Sequence, residues 1–179
     1  MDVVRMRIQY GFIQARVRMS WRDILFGLKE ELLDPAVPTE LARDLVNNES
    51  SDPTLIELAG LDRDEHPGQH VRALAAREHE QSPQEIRAKW LYVVLAWIFE
   101  HRDEYPDPLR AVEEVYADFD YPEQIADFVR YMPNSDPDLG SREQNEARLF
   151  EKWLSYLQEC WKTYSPKRGG SEHAHGGNG

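Results

Sequence analysis

The chain is short of sulfur, of positive charge and of long apolar runs, and each shortage excludes something. Its single cysteine, Cys160, rules out an intramolecular disulfide and fits a reducing cytosol. Lys and Arg number 21 against 33 Asp and Glu, a formal net charge of −12 at pH 7. That imbalance repels polyphosphate, so binding of nucleic acid over a broad surface is not expected. Arg5, Arg7, Arg16 and Arg18 form a basic end too small to reverse it. The charge-free run from Trp90 to Phe99 is only ten residues, too short to span a bilayer. Arginines also interrupt the first segment every few positions, unlike the continuous apolar block of a secretory signal. The expectation is a cytoplasmic protein without a membrane segment.

The usual patterns of catalysis are missing too. No serine lies in a G-x-S-x-G turn, and no glycine-rich phosphate loop exists; Gly169-Gly170 and Gly176-Gly177 belong to a polar tail. His66 and His70 have helical ligand spacing, but Pro67-Gly68 interrupts them and the glutamate of a zinc-protease motif is absent. His79 and His101 stand alone, and His173 and His175 fall in the tail. The D-F-D of Asp118 and Asp120 lacks the EF-hand pattern and its glycine. Cys160 lies beside Trp161 on an apolar helical stripe and reads as a core residue rather than a nucleophile. No metal and no cofactor is expected, and the reading leans away from an enzyme.

What is present suits one globular domain: 179 residues, 41% apolar and 30% charged. The fold class is mainly α, a single-domain helical bundle over residues 1–165 around a central buried helix at about 83–103. Residues 166–179 form a Gly/His-rich tail that cannot bury enough surface to order itself. At the N-terminus, Val4, Met6, Ile8 and Tyr10 alternate with polar residues and Ala15, Val17 and Met19 alternate again, a short strand or hairpin signal. A frayed helix through Phe12, Ile13, Arg16 and Val17 fits the same residues.

Helix starts are plainer. Ser20 with Asp23 caps a first firm helix carrying Ile24, Leu25, Leu28 and Leu32, stopped by Asp34-Pro35. A second runs from about Pro38 to Asn48. Asp52-Pro53 begins a third, with Leu55, Ile56 and Leu58 as its buried side. The polar segment Asp62–Gln81 holds a modest helix through Val71, Leu74 and Ala75 and is the best candidate for a variable surface segment. Ser82-Pro83-Gln84-Glu85 is the strongest start, and the helix after it is apolar nearly all round, hence central. Asp107-Pro108 and Asp120-Tyr121-Pro122 restart shorter helices. Ser141 with Gln144 begins the last, carrying Leu149, Trp153, Leu157, Cys160, Trp161 and Tyr164. The five tryptophans Trp21, Trp90, Trp97, Trp153 and Trp161 read as core.

Ten carboxylates lie between Glu100 and Asp127, opposed there only by Arg102 and Arg110. The plain explanation is a solvated face plus helix caps, with Asp107 and Asp120 as N-caps and Glu123 in a first turn. The functional explanation is a docking face for a basic partner, with tyrosines interleaved. Its candidate residues are Asp103, Glu104, Asp107, Asp118, Asp120, Tyr121, Glu123 and Asp127.

The stretches KWLY (Lys89–Tyr92), E-x-R-D (Glu100–Asp103), DPL (Asp107–Leu109), VEEVYADFDYPE (Val112–Glu123) and FVRYMP (Phe128–Pro133) resemble a family of small bacterial proteins classed as a domain of unknown function. SWRDI (Ser20–Ile24) and EKW (Glu151–Trp153) are similar to family elements as well. The resemblance spans roughly Met19 to Tyr164 and departs in Asp62–Gln81. It carries no enzyme activity over, and such proteins are similar in style to bacterial immunity proteins that neutralise a toxin by binding it. The implied function is a non-catalytic binding module. The alternatives are a metal-dependent hydrolase built on clustered Asp and Glu, or a structural subunit that oligomerises through its last helix.

Overall fold

Side-chain caps fix where the helices begin. The computed structural model describes residues 6–48, 52–62, 64–133 and 136–166. Its helices in chain order are α1 (Tyr10–Gln14), α2 (Trp21–Lys29), α3 (Val37–Asn47), α4 (Pro53–Ala59), α5 (Gly68–Ala75), α6 (Pro83–Glu100), α7 (Pro108–Asp118) and α8 (Arg142–Tyr164). Two 3-10 segments, Arg102–Glu104 and Glu123–Phe128, flank α7. Ser20 and Asp23 close a reciprocal capping box at α2, and Ser82 and Glu85 close another at α6. Ser141 Oγ accepts from the Gln144 N–H at α8. Asp52 and Asp107 cap α4 and α7, each followed by proline at the first helical position.

The described residues form one core around α6. Trp90 through Ala96 and Ile98 are all buried, because neighbours cover α6 on every side. It packs against α2 on one flank and against α7 and α8 on the other, while α3, α4 and α5 close the N-terminal half through α2. Gly27 permits the closest approach. A Cβ there would lie 2.2 Å from Trp90 Cζ2, so only glycine lets α2 rest on the indole. The Trp90 Nε1–H in turn donates to the Asp23 carbonyl at 2.8 Å.

The polar Asp62–Gln81 segment does form its modest helix, α5, and is tied in firmly. Val71 is fully buried, and the Glu78 carboxylate accepts from the Trp21 and Arg22 N–H groups at 2.9 and 3.0 Å, capping α2 from outside. Four local expectations need correction. Among the described residues there is no N-terminal hairpin: residues 10–14 are helical, and Ile8 makes one parallel bridge to Leu33 in the loop after α2. The alternation did mark buried Met6 and Ile8, but their partner is remote in sequence. Val4 and the tail 167–179 lie outside the described residues. α2 ends at Lys29, ahead of Asp34-Pro35, where Glu31 turns left-handed at φ 55°. Ile56 and Trp161 are exposed rather than core, since each lies on the solvent shoulder of its helix. Asp120-Tyr121-Pro122 starts no α-helix, and the chain runs into a 3-10 segment instead.

Candidate functional site

The candidate acidic residues ride on α7 and the turns at its two ends. Eleven helical residues rise roughly 16 Å at about 1.5 Å each, so the set divides. Asp103, Glu104 and Asp107 stand at the start of α7. Asp118, Asp120, Tyr121, Glu123 and Asp127 belong to its end and to the 3-10 segment beyond.

At the first end one of the three carboxylates, Asp107, is answered. Asp107 Oδ1 caps α7 through the Arg110 N–H, and its Oδ2 accepts from Arg130 Nη2 at 2.8 Å. Arg130 Nε donates to Glu113 Oε1 at 2.8 Å, and its Nη1 lies 3.6 Å from Glu146. Burial acts to raise the Asp107 pKa, but the Arg130 hydrogen bond and the Arg110 N–H outweigh it and hold the carboxyl below its ordinary 3.8. The hydrogen bond that Arg130 donates to Glu113 first, with the one it donates to Asp107, pushes its guanidinium above its ordinary range. Asp107 is thus a structural cap and ion-pair partner. Glu100 and Glu114 are answered by Arg16 and Arg110.

The second end is different. Asp118, Asp120, Glu123 and Asp127 are exposed and make no ion pair among the described residues, as do Asp103 and Glu104. Asp120 is not an N-cap because α7 uses it to terminate. Its backbone is left-handed at φ 66°, and the next N–H, of Tyr121, donates to the Tyr116 carbonyl at 2.8 Å. This is the helix-ending turn in which glycine is usual. Tyr121 is left-handed as well, at φ 56°, an uncommon conformation for a bulky residue.

That turn presents the Tyr121 ring to solvent, 60% exposed, edge-on against buried Tyr116 at 5.3 Å between ring centres. Tyr131, 57% exposed, leans on Tyr116 from the other side at 6.1 Å. Tyr116 is anchored by its hydroxyl, 3.7 Å from Met132 Sδ. Two exposed phenols on a fixed base offer flat apolar area at the same end of α7 as these four exposed carboxylates.

Arg130 escaped the sequence reading as a site residue, although it stands in the FVRYMP stretch, whereas Tyr131 was among the tyrosines interleaved with the acidic run. Arg130 lies three positions past the acidic run, and its three carboxylate partners are spread from Asp107 to Glu146. Among the described residues no group of three or more His, Cys, Asp or Glu is gathered so as to hold a metal. Burial raises the Cys160 pKa, which keeps the thiol protonated. No helix is long and apolar enough to cross a membrane among the described residues.

No curated protein and no solved structure matches the chain. The family described as an uncharacterized protein conserved in bacteria (DUF2247) matches residues 10–161. That span contains SWRDI, KWLY, the α7 motif with its tyrosine turn, FVRYMP and EKW. The chain belongs to this bacterial family.

Proposed function

We propose that the protein is a non-catalytic binding module of the bacterial cytoplasm that docks a partner with a basic surface, in the manner of an immunity protein that blocks a toxin. The observation that carries this reading is the pair of exposed tyrosines, Tyr121 and Tyr131, held on Tyr116, at the end of α7 where Asp118, Asp120, Glu123 and Asp127 are exposed. Tyrosine anchors supply contact area at small entropic cost, and unpaired carboxylates steer a cationic partner and hydrogen-bond it once docked. If the partner is a nuclease, these carboxylates stand where its substrate phosphates would bind. Asp103 and Glu104 extend the negative field from the far end of α7, while Asp107 supports the scaffold through Arg130.

The hydrolase alternative needs carboxylates converging in a cleft, and the described residues offer no such gathering. The test is affinity capture with the tagged chain from an extract of its native bacterium, followed by calorimetry with the purified captured protein. The expected partner is basic. Asp118→Asn, Asp120→Asn, Glu123→Gln and Asp127→Asn together should weaken binding at least about tenfold and flatten its salt dependence. Unchanged affinity in that variant would overturn the reading.

A further inference from the structure

We propose that the cavity between α1, α2 and α3 is a binding site for a small monocarboxylate with an apolar body. The cavity holds about 520 Å³, within the range of small-ligand sites. Its wall is largely apolar. Ile13 comes from α1, Val17 from the link that follows, Trp21 and Ile24 from α2, and Leu41 and Leu45 from α3. Leu41 and Leu45 stay only half-buried although the side chains opposite them are buried. Apolar surface is therefore left for a ligand to take out of water.

The polar part of the lining sets the charge of that ligand. Arg18, Ser20, Glu78, Gln81 and Lys89 contribute to it. Both oxygens of Glu78 already accept from the Trp21 and Arg22 N–H groups, so this charge is committed to the start of α2. Asp44, next to the cavity, accepts from the Tyr10 hydroxyl and from Gln14 Nε2. Lys89 Nζ donates to Asp23 Oδ2 and to the Arg18 carbonyl, the latter at 3.5 Å, which sets residues 18 and 89 side by side. An ammonium has three N–H groups, so one remains for a further acceptor. The Arg18 guanidinium is exposed and makes no ion pair among the described residues.

An unanswered guanidinium thus stands beside a spare N–H donor at the edge of an apolar cavity, in a chain whose net charge is −12. A ligand carboxylate supplies the acceptor that both lack, and guanidinium donates to it through two parallel hydrogen bonds. A ligand ammonium would be repelled by the same two cations, and a neutral head group would leave the guanidinium unpaired. The cavity lies on the α2 flank of α6 and shares no residue with the tyrosine end of α7, so its occupation is separate from docking of a basic partner.

Methyl NMR of the full chain, titrated with octanoate and with octylammonium and octanol as matched probes, tests the proposal. Octanoate should shift the methyls of Ile13, Val17, Ile24, Leu41 and Leu45 saturably, with a Kd of about 1 mM or tighter. Octylammonium and octanol should bind at least about tenfold more weakly. Arg18→Ser alters an exposed side chain, so it should weaken octanoate at least about tenfold while leaving octanol binding and Tm unchanged. Leu41→Trp should fill the cavity and abolish octanoate binding. The proposal is overturned by an absence of saturable shifts at these methyls, by octylammonium or octanol binding as tightly as octanoate, or by unchanged octanoate affinity in Arg18→Ser. Shifts confined to Leu154 and Leu157 would mark adventitious binding along α8 and overturn it as well.

Discussion

Lys89 Nζ donates to Asp23 Oδ2, joining α6 to α2 across 66 residues of sequence. Asp23 is fully buried and the Lys89 side chain is only 15% exposed. The same Asp23 oxygen accepts from the Ser20 N–H at 2.8 Å, so the capping box of α2 and the interhelical ion pair share one atom. Removing the cation would leave a buried carboxylate uncompensated. Lys89→Met is expected to destabilise the protein by about 3–5 kcal/mol, measured by urea unfolding. Adding Asp23→Leu to it should recover part of that loss, because the unpaired charge is then gone. A double variant no more stable than the single one would show that the cap, rather than the charge, dominates.

Gly27 sits inside α2, where alanine gains about 1 kcal/mol in helix propensity. Here the added methyl meets Trp90 at 2.2 and 2.7 Å and Leu33 at 2.7 Å. The indole cannot swing away without losing its bond to the Asp23 carbonyl. Gly27→Ala is therefore expected to lower stability by about 2 kcal/mol, seen as a drop in Tm with a redshift of the tryptophan emission. A rise in Tm would refute the close approach.

Arg130 links Asp107 to Glu113 and gives stability a defined acid dependence. The Asp107 carboxyl is depressed below 3.8 in the folded chain. Its contribution is therefore fully present above the unfolded value, and is lost as pH falls from about 4 through the folded value. Arg130→Gln should cost roughly 1–2 kcal/mol near neutrality, a figure that allows for the partial exposure of Asp107. Urea midpoints of the variant should also fall less steeply below pH 4 than those of the parent. Parallel pH profiles would separate Arg130 from the acid response.

The left-handed turn at Asp120 and Tyr121 holds strain where the candidate docking face is built. Asp120→Gly places the usual residue in that conformation and is expected to raise stability by about 0.5–1 kcal/mol. It also removes a carboxylate from the tyrosine edge, so affinity for the captured basic partner should decrease while Tm increases. A variant that gains stability and binds unchanged would take Asp120 out of the face.

Ser20, Ser82, Ser141, Asp52 and Asp107 mark helix starts in the sequence because each acts on an N–H two or three residues away. The burial of α6 was equally legible, since its apolar residues leave no polar face for water. Asp120 misled because an aspartate before a turn suits a helix start, whereas here it completes the end of the helix before it. Trp161 misled because a stripe drawn on one helix cannot reveal which edge its neighbours cover. Asp118, Asp120, Tyr121, Glu123 and Asp127 were legible as candidates, but nothing local tells that Asp107 is held by Arg130 while they are not.

The sequence by itself determined the helical class, the placement of most helix starts, the central helix and the excess of negative charge, all of which follow from neighbours within a turn or from summed composition. Only the tertiary structure decided that Asp23 meets Lys89, that Gly27 must remain bare against Trp90, that Glu78 caps a helix from outside and that Arg130 clamps α7. It also decided which tyrosines and which shoulder of α8 remain open. Each of these depends on groups far apart along the chain, brought together when burial of α6 fixes how the other helices pack around it.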